Sequence, residues 1–400
     1  MTTPVLAAAA KPPRTSRIES IDVLRGIVMI LMAIDHVRDF FGAAGNPTDP
    51  ATASAALFFT RWITHLCAPV FFLLTGTAAA LRRRERSAGE MSRFLFTRGL
   101  WLIVLELTVV RCLGYQFNAD YRVTMLVILW ALGWSMIGLA ALVYLQPRTI
   151  VIVGGVMVAT HNLADGVTAA SLGALGPVWT VLHVQGIVFA TSRFLVFAAY
   201  PLIPWMGVTA LGYGLGRAYE WQTDDRRVFL RRLGLVLTGA FVVLRASNLY
   251  GDPTPWTTQA TTMRTVLSFL NANKYPPSLL FLLMTLGPAL IMLSALEGST
   301  PRWRNPVLVL GRVPLFYFLL HLPFIHALAV VFCWAQYGQA HWMFESPTLA
   351  SYPFTRPPGW GYSLPVVYAI WGFVVVALFP ICLWFSGVKQ RRRDSWLQYL

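Results

Sequence analysis

The sequence predicts an all-α integral membrane protein, a bundle of about ten transmembrane helices with both termini in the cytoplasm. Three observations lead to this fold class: the composition, the series of apolar runs and the distribution of the cations. Of the 400 residues, 56% are hydrophobic and only 12% are charged, whereas soluble domains carry about 25% charged residues. A soluble protein of this composition would expose large apolar patches, so we expect its surface to contact the lipid bilayer.

Ten apolar runs follow one another along the chain, and most approach the roughly 20 residues that a helix needs to cross the hydrocarbon core. They cover residues 20–41, 57–81, 94–114, 123–145, 150–161, 193–218, 229–249, 276–296, 306–334 and 364–387. The fifth run is short and the ninth is long. Because little chain remains between the runs, we predict one transmembrane domain over residues 20–387. A cytoplasmic tail, 1–19, precedes it, and a basic cytoplasmic tail, 388–400, follows it.

The distribution of the cations predicts the orientation of the helices. If the N-terminus is cytoplasmic, the predicted inside segments contain 20 of the 32 Lys and Arg residues, and the outside loops contain only Arg264, Lys274 and Arg356. Cytoplasmic loops of membrane proteins are enriched in cations in this way. The net charge of +15 therefore reflects topology, and we expect no nucleic-acid partner. We expect a multi-pass protein of the bacterial cytoplasmic, or inner, membrane.

The first predicted helix carries charged and titratable side chains at membrane depth. Such groups cost at least a few kcal/mol in lipid, so by default they face a cavity or a partner. Arg25 and His36 are eleven residues apart, which places them on one helix face and about 16 Å apart along the axis. Asp39 follows His36 by three residues and is positioned to orient its ring. Asp35 points to another face, where it is expected to serve a second helix or to pair with Arg38.

Two further helices repeat this combination of a cation and an imidazole. The second run contains Arg61 and His65 near its outer end, and the ninth contains Arg312 near the inside, followed by His321. A lone histidine in a membrane span is usually a structural hydrogen-bonding residue. Three helices that each carry an arginine and a histidine favour a shared functional site instead.

The sequence contains no signature of a metal site. The four cysteines lie within or at the ends of apolar runs, without CxxC or Cys/His spacing. His36, Asp35 and His65 could in principle supply zinc ligands, but nothing in their spacing requires a metal. We therefore predict no metal. The oligomeric state is not readable from the sequence, which leaves a homo-oligomer open.

The first helix resembles the signature of a family of membrane acyltransferases. Arg25-Gly26, with His36 eleven residues after the arginine, is similar to the O-acetylase-type proteins, ten-helix enzymes that move acyl groups onto extracytoplasmic glycans. The segment 20–36 and the run Ala68-Pro69-Val70-Phe71-Phe72 to Gly76 more closely resemble the catalytic region of heparan-alpha-glucosaminide N-acetyltransferase and its bacterial relatives.

Two later stretches resemble the same bacterial relatives. They are Lys274-Tyr275-Pro276-Pro277-Ser278 and Gly311-Arg312-Val313-Pro314-Leu315, the second followed by His321. One departure bears on the mechanism. In the heparan enzyme the functional histidine lies in the first outside loop, whereas the loop here, 42–56, contains no histidine. His36 or His65 would have to take that role.

The resemblance implies a membrane acyltransferase with a cytoplasmic acyl-CoA donor, acetyl-CoA in the first instance, and an extracytoplasmic sugar or glycan acceptor. The phosphates of the donor would bind Arg25, Arg98 and Arg312 at the inner ends of their helices, since guanidinium groups make bidentate phosphate contacts. His36 would act as a general base or would itself accept the acyl group.

Other candidates would complete such a site. Arg61 or His65 is placed to stabilise the oxyanion of the tetrahedral intermediate, and Lys274 and His321 are further candidates. The outside loops 162–192 and 336–363 are rich in aromatic residues. These aromatics belong to the membrane interface or form a mouth for a bulky acceptor.

Two readings from other classes remain open at this stage. In a transporter or flippase, Asp35, His36 and Arg61 would form a proton relay or bind an anionic substrate, although the two halves of the chain show no convincing repeat. In a non-catalytic sensor or scaffold, the histidines would be pH-responsive packing residues. Consumption of a thioester would distinguish the acyltransferase from both the transporter and the sensor.

The predicted orientation is testable with reporter fusions in a bacterial host. Green fluorescent protein fused after Arg86 is expected to fluoresce, because the positive-inside rule places this loop in the cytoplasm. Alkaline phosphatase fused after Gly166 is expected to be active, because that loop is predicted to lie outside. Exchanging the two reporters should abolish both signals, and the reverse pattern would contradict the topology.

Overall fold

The computed structural model describes residues 18–298 and 304–392, and most of them are helical. The elements are α1 (Glu19–Phe41), α2 (Ala55–Thr64), α3 (Cys67–Arg83), α4 (Ala88–Leu105), β1 (Val123–Leu126), α5 (Ile128–Leu142), α6 (Pro147–Thr160), α7 (Gly176–Leu182), β2 (Gly186–Ala190), β3 (Leu195–Ala198), α8 (Leu202–Leu215), α9 (Thr223–Ser247), α10 (Thr262–Leu270), α11 (Leu279–Leu296), α12 (Arg304–Arg312), α13 (Pro314–Tyr337) and α14 (Leu364–Arg391). A π-helical segment, Glu106–Tyr115, continues α4. The predicted tails 1–19 and 388–400 lie mostly outside the described residues.

Each of the ten predicted apolar runs contains at least one helix. Within the described residues, four helical segments are long and apolar enough to cross a membrane: Ala55–Arg83, Leu279–Leu296, Pro314–Tyr337 and Leu364–Arg391. They support the membrane character of the protein, while the number of ten spans and the orientation stay predictions. The first helix is long enough, but its six charged residues lower its hydropathy.

The prediction of a purely helical chain is wrong at two of the runs. The fourth run begins with strand β1 and the sixth with strand β3, which pair in parallel, and β2 pairs antiparallel with β3. A short apolar stretch has the same hydropathy in a strand as in a buried helix, so the sequence pattern did not separate them. The second and ninth runs are also interrupted, at residues 65–66 between α2 and α3 and at Val313 between α12 and α13.

The first helix is the centre of the bundle. It contacts α2, α3, α11, α12, α13 and α14, and most of its residues are buried. Near its N-terminus, the Ser20 hydroxyl donates to Glu297 Oε1 at 2.6 Å, and Arg226 donates to the other oxygen of the same carboxylate at 2.6 Å. This buried cluster ties α1 to α9 and to the end of α11.

The C-terminal end of α1 is capped by the last long loop of the chain. The last carbonyl groups of a helix have no partner within the helix. Here Arg356 donates to the carbonyl oxygens of residues 39 and 42, Trp360 to that of residue 40, and the amide of Tyr362 to that of residue 41. The loop before α14 is thereby fixed over the end of α1.

Two glycines let α1 and α12 approach until their backbones touch. A Cβ atom on Gly26 would overlap the carbonyl oxygen of Val307, and one on Gly311 would overlap the carbonyl oxygen of Asp22. Small residues at such crossings are the usual way for membrane helices to pack closely. Each glycine is the chain neighbour of a predicted site arginine, so this contact brings Arg25 and Arg312 to one place.

We expect Gly26→Ala and Gly311→Ala each to destabilise the protein by about 1–3 kcal/mol, because the added methyl group forces the helix backbones apart. Gly239→Ala is the matched control, since a Cβ at this helical position meets open space and alanine favours the helix. Thermal unfolding in detergent measures the effect. Equal melting temperatures for all three variants would contradict the close approach.

Candidate functional site

Two cavities lie near opposite ends of α1. The first encloses about 220 Å³, and we call it the basic cavity because five cations from five helices line it. These are Arg25 of α1, Arg82 of α3, Arg98 of α4, Arg312 of α12 and Lys389 of α14. The rest of its wall is largely apolar. A polyanion with an apolar extension matches this lining.

The second cavity encloses about 930 Å³ near the C-terminal end of α1, and we call it the polar cavity. Its charged and hydrogen-bonding wall residues include Arg38, Asp39, Arg61, His65, Lys274, Tyr275 and Arg356. The loop residues in this wall all come from loops that the sequence predicts to be outside, whereas Arg82 and Lys389 of the basic cavity come from predicted inside segments. In the predicted topology, which stays a prediction, the two cavities would therefore face opposite sides of the membrane.

His36 lies between the cavities. Its ring centroid is 5.1 Å from that of His321 and 5.9 Å from that of Tyr115. The ring of Phe318, a wall residue of the basic cavity, is 5.4 Å from the His321 ring. On the other side, the polar-cavity residue Asp39 lies 3.9 Å from Nδ1 of His36. A chain of side-chain contacts thus links the cavities through two imidazoles.

The hydrogen bonds of His321 fix its tautomer. Its Nδ1 lies 2.8 Å from the carbonyl oxygen of Phe318 and 3.2 Å from that of Tyr317. Carbonyl oxygens only accept, so Nδ1 carries the proton, and in the neutral ring Nε2 keeps its lone pair. Within the described residues this buried Nε2 atom has no hydrogen-bond partner. His321 therefore offers a proton acceptor next to His36.

Asp35 is expected from the sequence either to serve a second helix or to pair with Arg38, and it does both. It joins α1 to α2 and also bonds to Arg38. One of its carboxylate oxygens accepts from Arg38 at 2.9 Å, and the other forms a close ion pair with Arg61. Its side chain is 14% exposed, so the negative charge is largely shielded from solvent. A buried carboxylate needs such partners. The ion pair with Asp35 in turn holds Arg61 in the wall of the polar cavity.

The predicted role of Asp39 needs correction. At 3.9 Å its carboxylate is too far from His36 Nδ1 for a hydrogen bond, and its other oxygen accepts from Arg38 at 2.6 Å. The carboxylate therefore lies beside the imidazole without fixing its orientation. Nδ1 of His36 is buried and has no hydrogen-bond partner among the described residues.

His65 and Lys274 both line the polar cavity. His65 ends α2 and packs against Phe281, with 5.3 Å between ring centroids. Lys274 lies over the ring of Tyr275 at 5.1 Å, in the loop before α11. This loop is held by Asp252, whose carboxylate accepts from the amide of Asn273 at 2.8 Å and from the hydroxyl of Ser278 at 2.7 Å.

The buried position of Asp252 disfavours the charged form of its carboxyl group. It lies outside the predicted spans, and burial raises the pKa of its carboxyl group, although hydrogen bonds and nearby Arg245 act in the opposite direction. Arg245 donates to four backbone carbonyl oxygens around the same loop. The pair builds the support beneath Lys274.

The structure brings the predicted site residues together in two groups. Arg25, Arg98 and Arg312 share the wall of the basic cavity, and their binding of a ligand stays a prediction. His65, Arg61, Asp39 and Lys274 share the polar cavity, with Asp35 behind Arg61, and His36 and His321 lie between the groups. Arg312 ends α12, whereas His321 lies on α13, so they do not share one straight helix.

Several site residues were missed from the sequence. Tyr115 packs on His36, and its ring is 5.4 Å from that of Tyr352, another wall residue of the polar cavity. Nothing in the local sequence distinguishes these tyrosines from interfacial aromatics. Arg82 and Lys389 were counted only as topology signals, although their place at the inner ends of spans was a usable indication of a basic entrance.

The fold and the cavities define a membrane protein with a polar or charged cavity near either end of one charged central helix. A family model described as heparan-alpha-glucosaminide N-acetyltransferase, catalytic, matches residues 17–246, which is more than half of the chain. The chain therefore belongs to this family, and the family implies acyltransferase activity. A comparison with curated proteins found no match.

The matched residues carry part of the candidate site. They include Arg25 and His36 of α1, Arg61 and His65 at the end of α2, and Arg98 in the wall of the basic cavity. The other candidates, Lys274, Arg312 and His321, follow the matched region. Their assignment to the site rests on the geometry of this chain.

Arg61→Gln is expected to destabilise the protein by about 3 kcal/mol, because it leaves the buried Asp35 carboxylate without one of its two cations. The double variant Asp35→Asn/Arg61→Gln should lose less than the sum of the single losses, since the unpaired charge is gone. Unfolding in detergent measures both. Arg122→Gln is the control, because this guanidinium is 73% exposed and its removal should change stability by less than about 0.5 kcal/mol. Additive losses at Asp35 and Arg61 would contradict the pairing.

Proposed function

We propose that this protein transfers an acyl group, acetyl in the first instance, from cytoplasmic acyl-CoA to a sugar or glycan on the other side of the membrane. One observation carries the proposal: His36 lies between a basic cavity and a polar cavity near opposite ends of α1. A chemical group that passes from one cavity to the other meets this imidazole. Membership of an N-acetyltransferase family supports acyl transfer as the chemistry.

The basic cavity suits the donor. Acyl-CoA carries several phosphate charges on its nucleotide end and a thin, mostly apolar pantetheine arm. Arg25, Arg98 and Arg312 can contact phosphate oxygens in bidentate geometry, and the apolar wall that includes Phe318 suits the arm. About 16 Å of helix separates Arg25 from His36, so a long donor is needed to span the distance.

The polar cavity suits the acceptor. Its wall offers donors on Arg38, Arg61 and Lys274 and acceptors on Asp39, which match the hydroxyl groups of a sugar. Its volume of about 930 Å³ lies within the usual range for ligand pockets of roughly 300–1,000 Å³. The aromatic residues Tyr275 and Tyr352 in the same wall can pack on the faces of sugar rings.

At the reacting centre, the thioester C–S bond breaks and a C–O or C–N bond to the acceptor forms. In direct transfer, His36 takes the proton from the acceptor and the CoA sulfur leaves as thiolate or thiol. In two-step transfer, His36 accepts the acyl group and then passes it to the acceptor. Both routes need His36, and they differ in whether the acyl group is retained on the protein. The Nε2 atom of His321 is a nearby proton acceptor for either.

We expect the purified protein in nanodiscs to bind labelled acetyl-CoA and to release CoA slowly. His36→Ala should bind the donor but not release CoA, because the reacting group is removed. Arg98→Gln should weaken binding about 10-fold or more, since a hydrogen bond to a charged group contributes about 1.5–3 kcal/mol. Binding, CoA release and label retained on the protein are measured together.

Arg93→Gln is the matched control for charge, because Arg93 lies on the same helix as Arg98 but on its exposed surface. It should bind acetyl-CoA as the unmodified protein does. If the folded protein has no affinity for acetyl-CoA or a longer acyl-CoA, the proposal is wrong, and assays of substrate flux then test the transporter reading. Turnover that survives His36→Ala would remove His36 from the mechanism.

A further inference from the structure

A second cluster of chemically active side chains lies away from both cavities, at the end of α6. His161 follows α6 directly, Asp165 comes four residues later, and His183 follows α7. Each offers one ligand atom, and these atoms all lie within 4.8 Å of one another. The sequence predicts that this part of the chain faces the outside of the membrane.

The two imidazoles of this cluster are buried without the partners that buried nitrogens need. His161 is 5% exposed and His183 is 2% exposed. Among the described residues, neither ring nitrogen of either histidine has a hydrogen-bond partner with acceptable geometry, although His183 Nε2 lies 3.2 Å from Asp165 Oδ1. Four orphaned polar atoms in one place are unusual, because nearly all buried polar groups are hydrogen-bonded.

The Asp165 carboxylate is held in position by Asn162, which is not itself a member of the cluster. Asn162 donates to Asp165 Oδ2 at 2.8 Å, which leaves Oδ1 directed at His183. The same asparagine side chain accepts from the amide of Leu279 at 2.9 Å, the first residue of α11. Such outer contacts are what orient the ligands of a metal ion. The ring of Trp179 packs on His183, with 4.8 Å between centroids.

We propose that His161, Asp165 and His183 bind a divalent transition metal ion of the zinc class. Two imidazoles and one carboxylate are a ligand set that zinc uses with a fourth position left for water. Ligand atoms about 2.1 Å from one ion lie at most about 4.2 Å apart, so small side-chain rotations bring the three onto it. Imidazole ligands favour zinc, copper, nickel or iron over magnesium or calcium.

The ion would act as a clamp in the outer part of the protein. It would join the end of α6 to the end of α7, across the loop that contains residues 166–175. Through Asn162 this clamp also reaches the start of α11. The proposal is independent of acyl transfer, because the cluster contributes to neither cavity wall.

Metal content tests the site directly. The full-length protein is purified in detergent through an affinity tag that contains no histidine, and its zinc is measured by mass spectrometry. We expect one tightly held ion per chain, loss of that ion in a His161→Gln/His183→Gln variant, and zinc affinity weakened at least about tenfold in Asp165→Asn. His341→Gln is the control, because His341 lies in another outside loop, is 53% exposed and bonds to Glu345.

Cobalt substitution keeps the test valid if a variant does not fold. After removal of zinc with a chelator, Co²⁺ added to the unmodified protein should give the visible absorption of a cation with nitrogen ligands, and zinc should displace it and raise the melting temperature. If the unmodified protein shows no saturable binding of zinc or cobalt, the proposal is overturned. Equal zinc content in the ligand variants and in His341→Gln would overturn it too.

Discussion

The ion pair between Asp35 and Arg61 is the interaction on which the arrangement of the site depends. The first helix must be buried in the bundle, yet it carries six charged residues, and each buried charge is tolerated only with a partner. Asp35 finds Arg38 on its own helix and Arg61 on the next one. The pair fixes the short helix α2 against α1 and holds Arg61 and His65 in the wall of the polar cavity.

At the other end of the same helix, the constraint is steric. Gly26 and Gly311 allow the backbones of α1 and α12 to touch, and each glycine is followed or preceded by an arginine of the basic cavity. One helix thus presents a cationic site near one end and an ion-paired polar site near the other, with His36 between them. Under the proposed function, an acyl group would pass along this route from the basic cavity, past His36, to the polar cavity.

Much of this arrangement could be predicted from the sequence, and the reasons for the failures are physical. Helical spacing placed Arg25 and His36 on one face. The cost of charge in lipid indicated that Asp35, Arg61 and Arg312 face a partner or a cavity, and the structure pairs Asp35 with Arg61 and places Arg312 in a cavity wall. Hydropathy did not distinguish β1 and β3 from helix, because a short apolar run fits either. The contact of Tyr115 with His36, and the meeting of His161 with His183, 22 positions later in the chain, depend on tertiary packing that no local pattern encodes.

The proposed function requires that a donor bound in the basic cavity delivers its acyl group to His36. A structure of the protein in nanodiscs with a non-hydrolysable acetyl-CoA analogue would show whether it does. We expect the nucleotide phosphates among Arg25, Arg98 and Arg312, with the acyl carbon within contact distance of His36. A nucleotide bound in the polar cavity, or an acyl group that ends far from His36, would contradict it.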